Sequence, residues 1–151
     1  MSLPGGSPPP PGGAPVDLAA WRERERLTNH DVAAFVDVHA GSVTTGGEWV
    51  HYGLRSSDVV DTALGVILRD AVDLLLRRVT ERFDVVRRRA LEHRDTVMLG
   101  RTHGVWAEPT PFGLKLATWA FELARDHNRL RRAREAVAVG KVSGAVGNPA
   151  S

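Results

Sequence analysis

Six histidines are spread along the 151 residues, and three of them stand in short polar contexts. His30 lies in Thr28-Asn29-His30-Asp31, His51 in Trp49-Val50-His51-Tyr52-Gly53, and His103 in Gly100-Arg101-Thr102-His103-Gly104. Imidazole has an unperturbed pKa close to neutrality, so each of these side chains could give or take a proton at working pH with little tuning. Each also sits where an element begins or ends, a common place for a histidine with a purely structural role. Taken singly, none identifies an enzyme. His30, Asp31 and another histidine could in principle hold a metal. No two histidines fall one helical turn apart, however, so no metal site is assigned. His39, His93 and His127 fall within or at the ends of amphipathic helical stretches, where solvated or dipole-supporting roles suffice. The run Gly53-Leu54-Arg55-Ser56-Ser57-Asp58 offers hydroxyls and backbone amides at a helix start. It reads either as an anion site for carboxylate or phosphate or as ordinary capping by Ser57.

The elements that must position these groups are helical. Thr28 is a cap candidate for a helix through Val32, Phe35, Val36 and His39, with Gly41 as its stop. Residues 41 to 53, rich in Gly, Ser and Thr around Trp49 and Tyr52, read as a loop. Beyond it Ser57 is the expected N-cap, with Asp58 and Asp61 placing negative charge in the first turn. Apolar residues then recur at Val60, Leu64, Ile67, Ala71, Leu75, Val79, Phe83, Val86 and Ala90, one stripe on a helix of roughly 45 to 50 Å. Thr110 and Pro111 open a second long helix through Phe112, Leu116, Trp119, Leu123, Leu130 and Val137 to Gly140. Between the two, RDTVMLGRTHGVWAEPTP reads as a long polar loop of the kind that carries function. Two long stripes predict a helical bundle.

Composition bounds the rest. A chain of 151 residues, 42% hydrophobic and 25% charged, is about one globular domain's worth. No run of eighteen apolar residues and no secretory pattern is visible, so no membrane association is expected and the cytoplasm is the expected address. The absence of cysteine removes disulfides, thiolate metal sites and cysteine nucleophiles. A net charge of +2 is too weak to argue for nucleic acid. Arginine clusters at Arg87 to Arg89 and around Arg131 are interleaved with acids, as a solvated face would be. Residues 1–16, rich in Pro and Gly, are expected to be a disordered leader, 17–54 a helical segment and loop, and 55–151 part of a central bundle domain.

Four blocks together carry a resemblance. TNHDVAAF at 28 to 35, EWVHYGLRSSDVVDTAL at 48 to 64, MLGRTHGVWAEPTPFGLKLATWAFELAR at 98 to 125 and KVSGAVG at 141 to 147 resemble adenylosuccinate lyase, of the fumarase and aspartase superfamily. The resemblance covers about residues 24 to 148. It implies an all-α fold built on long helices of a fumarase/aspartase-type bundle. It also implies a β-elimination that releases fumarate from adenylosuccinate, giving AMP, and from the succinyl-carboxamide intermediate of purine synthesis. By the same resemblance His103 is the general acid that protonates the departing nitrogen, and His30 supports the reacting centre. Asn29, Asp31, His51, Ser56 and Thr102 bind substrate, no cofactor or metal is required, and the protein is a homo-oligomer, a tetramer in the family.

Two positions depart from the pattern. Arg55 stands where the family usually has Thr, and Trp106 where related enzymes often have a second histidine. Nothing matches the family's downstream loop that carries a serine base, and the family's chains are about three times longer. An incomplete bundle and an inactive fragment are therefore the expectation for the chain alone. The alternative is a non-catalytic helical protein, derived from the lyase, that binds itself or an intact enzyme.

Overall fold

A computed structural model of the chain describes residues 16–144 and 146–147; most of the expected leader lies outside the described residues. Helix α1 spans Leu18–Thr28, α2 Asp31–Ser42, a single 3-10 turn Gly47–Trp49, α3 Ser56–Glu92 and α4 Phe112–Val137. Strands β1 (Val97–Thr102) and β2 (Val105–Pro111) form one antiparallel ribbon between α3 and α4. The class is all-α, as the two stripes predict. The chain separates into two compact units, one ending at Asp61 and including the segment from Lys141, the other Thr62–Gly140.

In the first unit, the Asp17 carboxylate accepts from the backbone N–H groups of Ala19 and Ala20 at 2.9 and 3.0 Å and so caps α1. The helix stops at Asn29, which takes the left-handed conformation (φ 49°) and donates its N–H to the Glu25 carbonyl at 2.8 Å. The expected cap of α2 is corrected here. Thr28 is the last residue of α1, and extended His30 caps α2, its Nδ1 accepting from Ala33 N–H at 3.3 Å. Gly41 does not stop α2, which continues through Ser42. The two helices fold back on one another: the Trp21 indole donates to the Asp31 carbonyl at 3.0 Å, and Arg24 pairs with Asp37 at 2.7 Å. Ala34, with no exposed surface, is buried in this unit.

In the second unit, α3 from Thr62 onward and α4 run antiparallel. Near one end Gly65 approaches so closely that a Cβ there would stand 2.8 Å from the Val139 carbonyl oxygen. Two turns further along, Arg134 donates to both oxygens of Asp73, at 2.5 and 3.0 Å. At the other end Gly113 packs where a Cβ would stand 2.6 Å from the Arg94 Cα. Its N–H donates to the His93 carbonyl at 2.9 Å, and the Phe112 ring lies against the His93 ring. Leu116 and Ala120 of α4 are buried.

Helix α3 has 37 residues, about 55 Å at the helical rise, and the burial of its apolar stripe changes along its length. Val79, Phe83, Val86 and Ala90 are half-buried, whereas Val60, Leu64, Ile67 and Leu75 from the same stripe stay exposed. The helix begins at Ser56, so Arg55 rather than the expected Ser57 holds the cap position, and Ser57 lies inside the first turn. Helix α4 begins at Phe112 rather than at Thr110, which belongs to β2.

Candidate active site

The segment expected to be a polar loop is a β-hairpin, and this corrects the sequence reading. Thr102 pairs with Val105, leaving His103 and Gly104 as a two-residue turn with φ of 52° and 80°. Two successive positive φ values define the type I′ turn, whose twist matches that of the strands it joins. Gly accepts the left-handed region freely, and His is among the few other residues enriched there. Register shifts between Leu99 and Arg101, where Gly100 faces β2 so closely that a Cβ would stand 2.8 Å from the Glu108 carbonyl oxygen. Such a bulge re-aims the side chains beyond it. His103 is exposed at the tip, Thr102 lies beside it, and Arg101 pairs across the ribbon with Trp106, which is 83% exposed. Pro109 and Pro111 are tolerated because both strands of a two-stranded ribbon are edges.

Asn29, His30 and Asp31 meet at the α1–α2 junction. Because His30 Nδ1 accepts a backbone N–H, its ring is held as the tautomer protonated on Nε2, which leaves that N–H as a donor. Thr28 Oγ1 donates to the His30 carbonyl at 3.1 Å, and the Asp31 carboxylate accepts from Val32 N–H at 2.7 Å. The turn is thus tied at each residue.

The third group follows the 3-10 turn. His51 is left-handed (φ 68°), its carbonyl accepts from Leu54 N–H at 3.1 Å, and its Nε2 is buried with no hydrogen-bond partner among the described residues. A buried nitrogen without a partner carries a desolvation cost that an incoming hydrogen-bonding group would relieve. Arg55 is exposed, and its carbonyl accepts the first helical bonds of α3, from Asp58 and Val59. Ser56, half-buried, is the first residue of that helix.

Asn29, His51 and His103 are the non-glycine residues with positive φ among those described, and all three are site candidates from sequence. Strained backbone persists only where the surroundings over-determine it, and it concentrates at functional positions. Sequence reading missed one group. Asp58, noted only as a first-turn acid, is 2% exposed and accepts from Arg55 N–H at 2.9 Å, Ser143 N–H at 3.1 Å and Lys141 Nζ at 3.3 Å. These bonds, the Arg55 and Ser143 amides foremost, hold its carboxyl down at about 2. Its second partner lies more than eighty residues away, beyond the reach of any local pattern.

The family model described as Lyase matches residues 18–151. The chain is 51% identical over 126 residues to adenylosuccinate lyase of Aquifex aeolicus, covering 83% of this chain and 29% of that protein. It is 49% identical over 138 residues to adenylosuccinate lyase of Bacillus subtilis, covering 91% and 32%. The crystal structure of a fumarate lyase from Mesorhizobium superposes with a TM-score of 0.80 at 30% identity, over 89% of this chain and 31% of that one. The chain thus spans about a third of the length of these relatives. With a family match across nearly all of its residues and the same helical architecture, the chain belongs to the lyase family, in the fumarase and aspartase superfamily.

Proposed function

We propose that these residues serve the proton-donating and substrate-gripping roles of adenylosuccinate lyase, acting in purine nucleotide synthesis in the cytoplasm. In the reaction a base removes a proton from the succinyl carbon next to the one bonded to nitrogen. The electron pair forms the new carbon–carbon double bond, the carbon–nitrogen bond breaks, and the nitrogen takes a proton as fumarate leaves. His103 is the donor of that last proton. The observation that carries this reading is its place at the tip of a type I′ turn, exposed and held in a left-handed backbone. An imidazole there can reach a leaving nitrogen and hand it a proton. His30, with its Nε2 proton free of the cap bond, supports the reacting centre. Asn29, Asp31, His51, Thr102 and Ser56 bind substrate, Ser56 taking a carboxylate at the start of α3, where the helix dipole favours anions. Arg55, exposed beside Ser56, adds a cation to that place. None of these residues is proposed as the base, so the 151-residue chain by itself is expected to release no fumarate. Homo-oligomeric assembly, a tetramer in the family, is part of the same proposal, as is the need for neither cofactor nor metal.

The experiment is a graft. Residues 24–148 replace the matching third of the Bacillus subtilis enzyme, and fumarate and AMP release from adenylosuccinate is followed. The chimera is expected to turn over, and His103→Gln in it to lower kcat by about 100- to 10,000-fold, the usual worth of a positioned acid. A folded chimera with no turnover, or a His103→Gln form as fast as its parent, would overturn the reading.

A further inference from the structure

The buried carboxylate of Asp58 joins two stretches of chain that the sequence keeps far apart. Its Oδ2 accepts from the backbone N–H of Arg55, the residue that leads into α3. Its Oδ1 accepts from the backbone N–H of Ser143 and from Lys141 Nζ. Lys141 also donates to Ser57 Oγ at 2.6 Å and lies 3.8 Å from Asp61, so its charge is met on several sides. Each oxygen therefore serves a different segment. One fixes the entry to α3 in the manner of a capping box, and the other fixes the strand of chain that returns after α4. Charge-assisted bonds to a desolvated carboxylate are the stronger kind, and a buried acid without its donors is costly, so this arrangement tolerates few alternatives.

We propose that Asp58 is a positioning residue of the site: it locks the turn that presents Arg55 and Ser56 to the 141–143 segment, so that the start of α3 meets the substrate carboxylate in a single arrangement. This rests on the reading of Ser56 as a substrate-binding residue. Asp58 itself touches no substrate. Its two-sided use has a sharp chemical consequence. Both sides present N–H donors, so both oxygens must accept. Asn has the same shape but only one acceptor atom, and its amide nitrogen must face a donor on one side or the other. Asp58→Asn therefore breaks one half of the lock whichever way it turns, while Lys141→Gln spares both amide bonds and removes only the cation.

The first measurement is amide hydrogen exchange on the full chain by NMR, for the parent, Asp58→Asn and Lys141→Gln. In Asp58→Asn the N–H of Arg55 or of Ser143 is expected to exchange at least about ten-fold faster, with the Leu116 and Ala120 amides unchanged as reporters of an intact fold. Lys141→Gln should give a smaller acceleration, confined to the Ser143 side. Unchanged exchange at both Arg55 and Ser143 in Asp58→Asn overturns the proposal, and should that variant fail to fold, exchange of the Arg55 and Ser143 amides in the parent as fast as in an unstructured chain does so. The second measurement uses the chimera. Asp58→Asn should raise KM for adenylosuccinate about ten-fold with kcat held within about three-fold, the reverse of the His103→Gln signature. Faster exchange with both constants at parental values would show a structural lock with no part in substrate binding, and would overturn the positioning role. A chimera inactive with Asp58 in place defeats the lyase reading instead, and the exchange experiment still decides whether Asp58 joins the two segments.

Discussion

At the residue scale, the chemistry of this chain is a matter of which polar atoms are already committed. His30 spends Nδ1 on a helix cap, Asp31 spends one oxygen on its neighbour's amide, and Asp58 spends both. Asp58 and Asp73 also set an acid limit. The Arg134 guanidinium, through its hydrogen bonds first and its charge second, lowers the Asp73 carboxyl below its usual 3.8, and Asp58 is held at about 2. Groups whose folded pKa is depressed bind fewer protons folded than unfolded, so they add stability above the unfolded value of 3.8 and lose it as pH falls toward about 2. Thermal unfolding followed by circular dichroism is therefore expected to show a melting temperature that drops steeply between pH 4 and pH 2, and less steeply in Asp58→Asn. An equally steep drop in that variant would remove Asp58 as a source of the acid sensitivity. The histidines were legible in the sequence from their polar contexts. Asp58 was not, because a carboxylate at a helix start looks the same whether it faces water or a lysine from another segment.

At the scale of elements, the two long helices were readable because a stripe repeated over 26 residues or more leaves little else for the chain to do. The ribbon between them was not. Its strands are short, glycine and proline interrupt them, and the turn uses His-Gly in place of the Asn-Gly or Asp-Gly pair that announces a type I′ hairpin. Boundaries erred wherever a side chain other than the obvious one made the cap, as His30 does for α2. The joint between α3 and α4 offers a test in which propensity and packing oppose each other. Gly113 lies in the first turn of α4, where Ala is the better helix former by up to about 1 kcal/mol. A methyl group there would overlap the Ala90 carbonyl and stand 2.6 Å from the Arg94 Cα, against backbone that cannot yield as a side-chain tip would. Overpacking of this kind costs about 1 to 3 kcal/mol. Gly113→Ala is thus expected to lower the melting temperature, and a rise would mean that the close approach at this joint is relieved without loss.

At the scale of the whole molecule, the described chain has more apolar surface than it covers. Each unit holds few fully buried apolar side chains, Ala34 in one and Leu116 and Ala120 in the other, while Leu64, Ile67 and Leu75 of α3 and Leu114 and Phe121 of α4 are largely exposed, Ile67 by 63% and Phe121 by 68%. Monomeric proteins seldom leave such residues in rows along helices, and burying one large apolar side chain yields about 1.5 to 3 kcal/mol. Several such burials offset the entropic cost of association, estimated at about 4 to 15 kcal/mol. Sedimentation velocity at micromolar chain is accordingly expected to show oligomers, with circular dichroism dominated by helix. Ile67→Asp together with Phe121→Asp places charges on two of the exposed rows while leaving Leu116, Ala120 and the Asp73–Arg134 pair untouched, and it should shift the population toward monomer without loss of helical signal. Should the parent chain sediment as a single sharp monomer, these faces would not be assembly surfaces, and the oligomeric part of the proposed function would fall while the hairpin, the caps and the Asp58 link would stand as described.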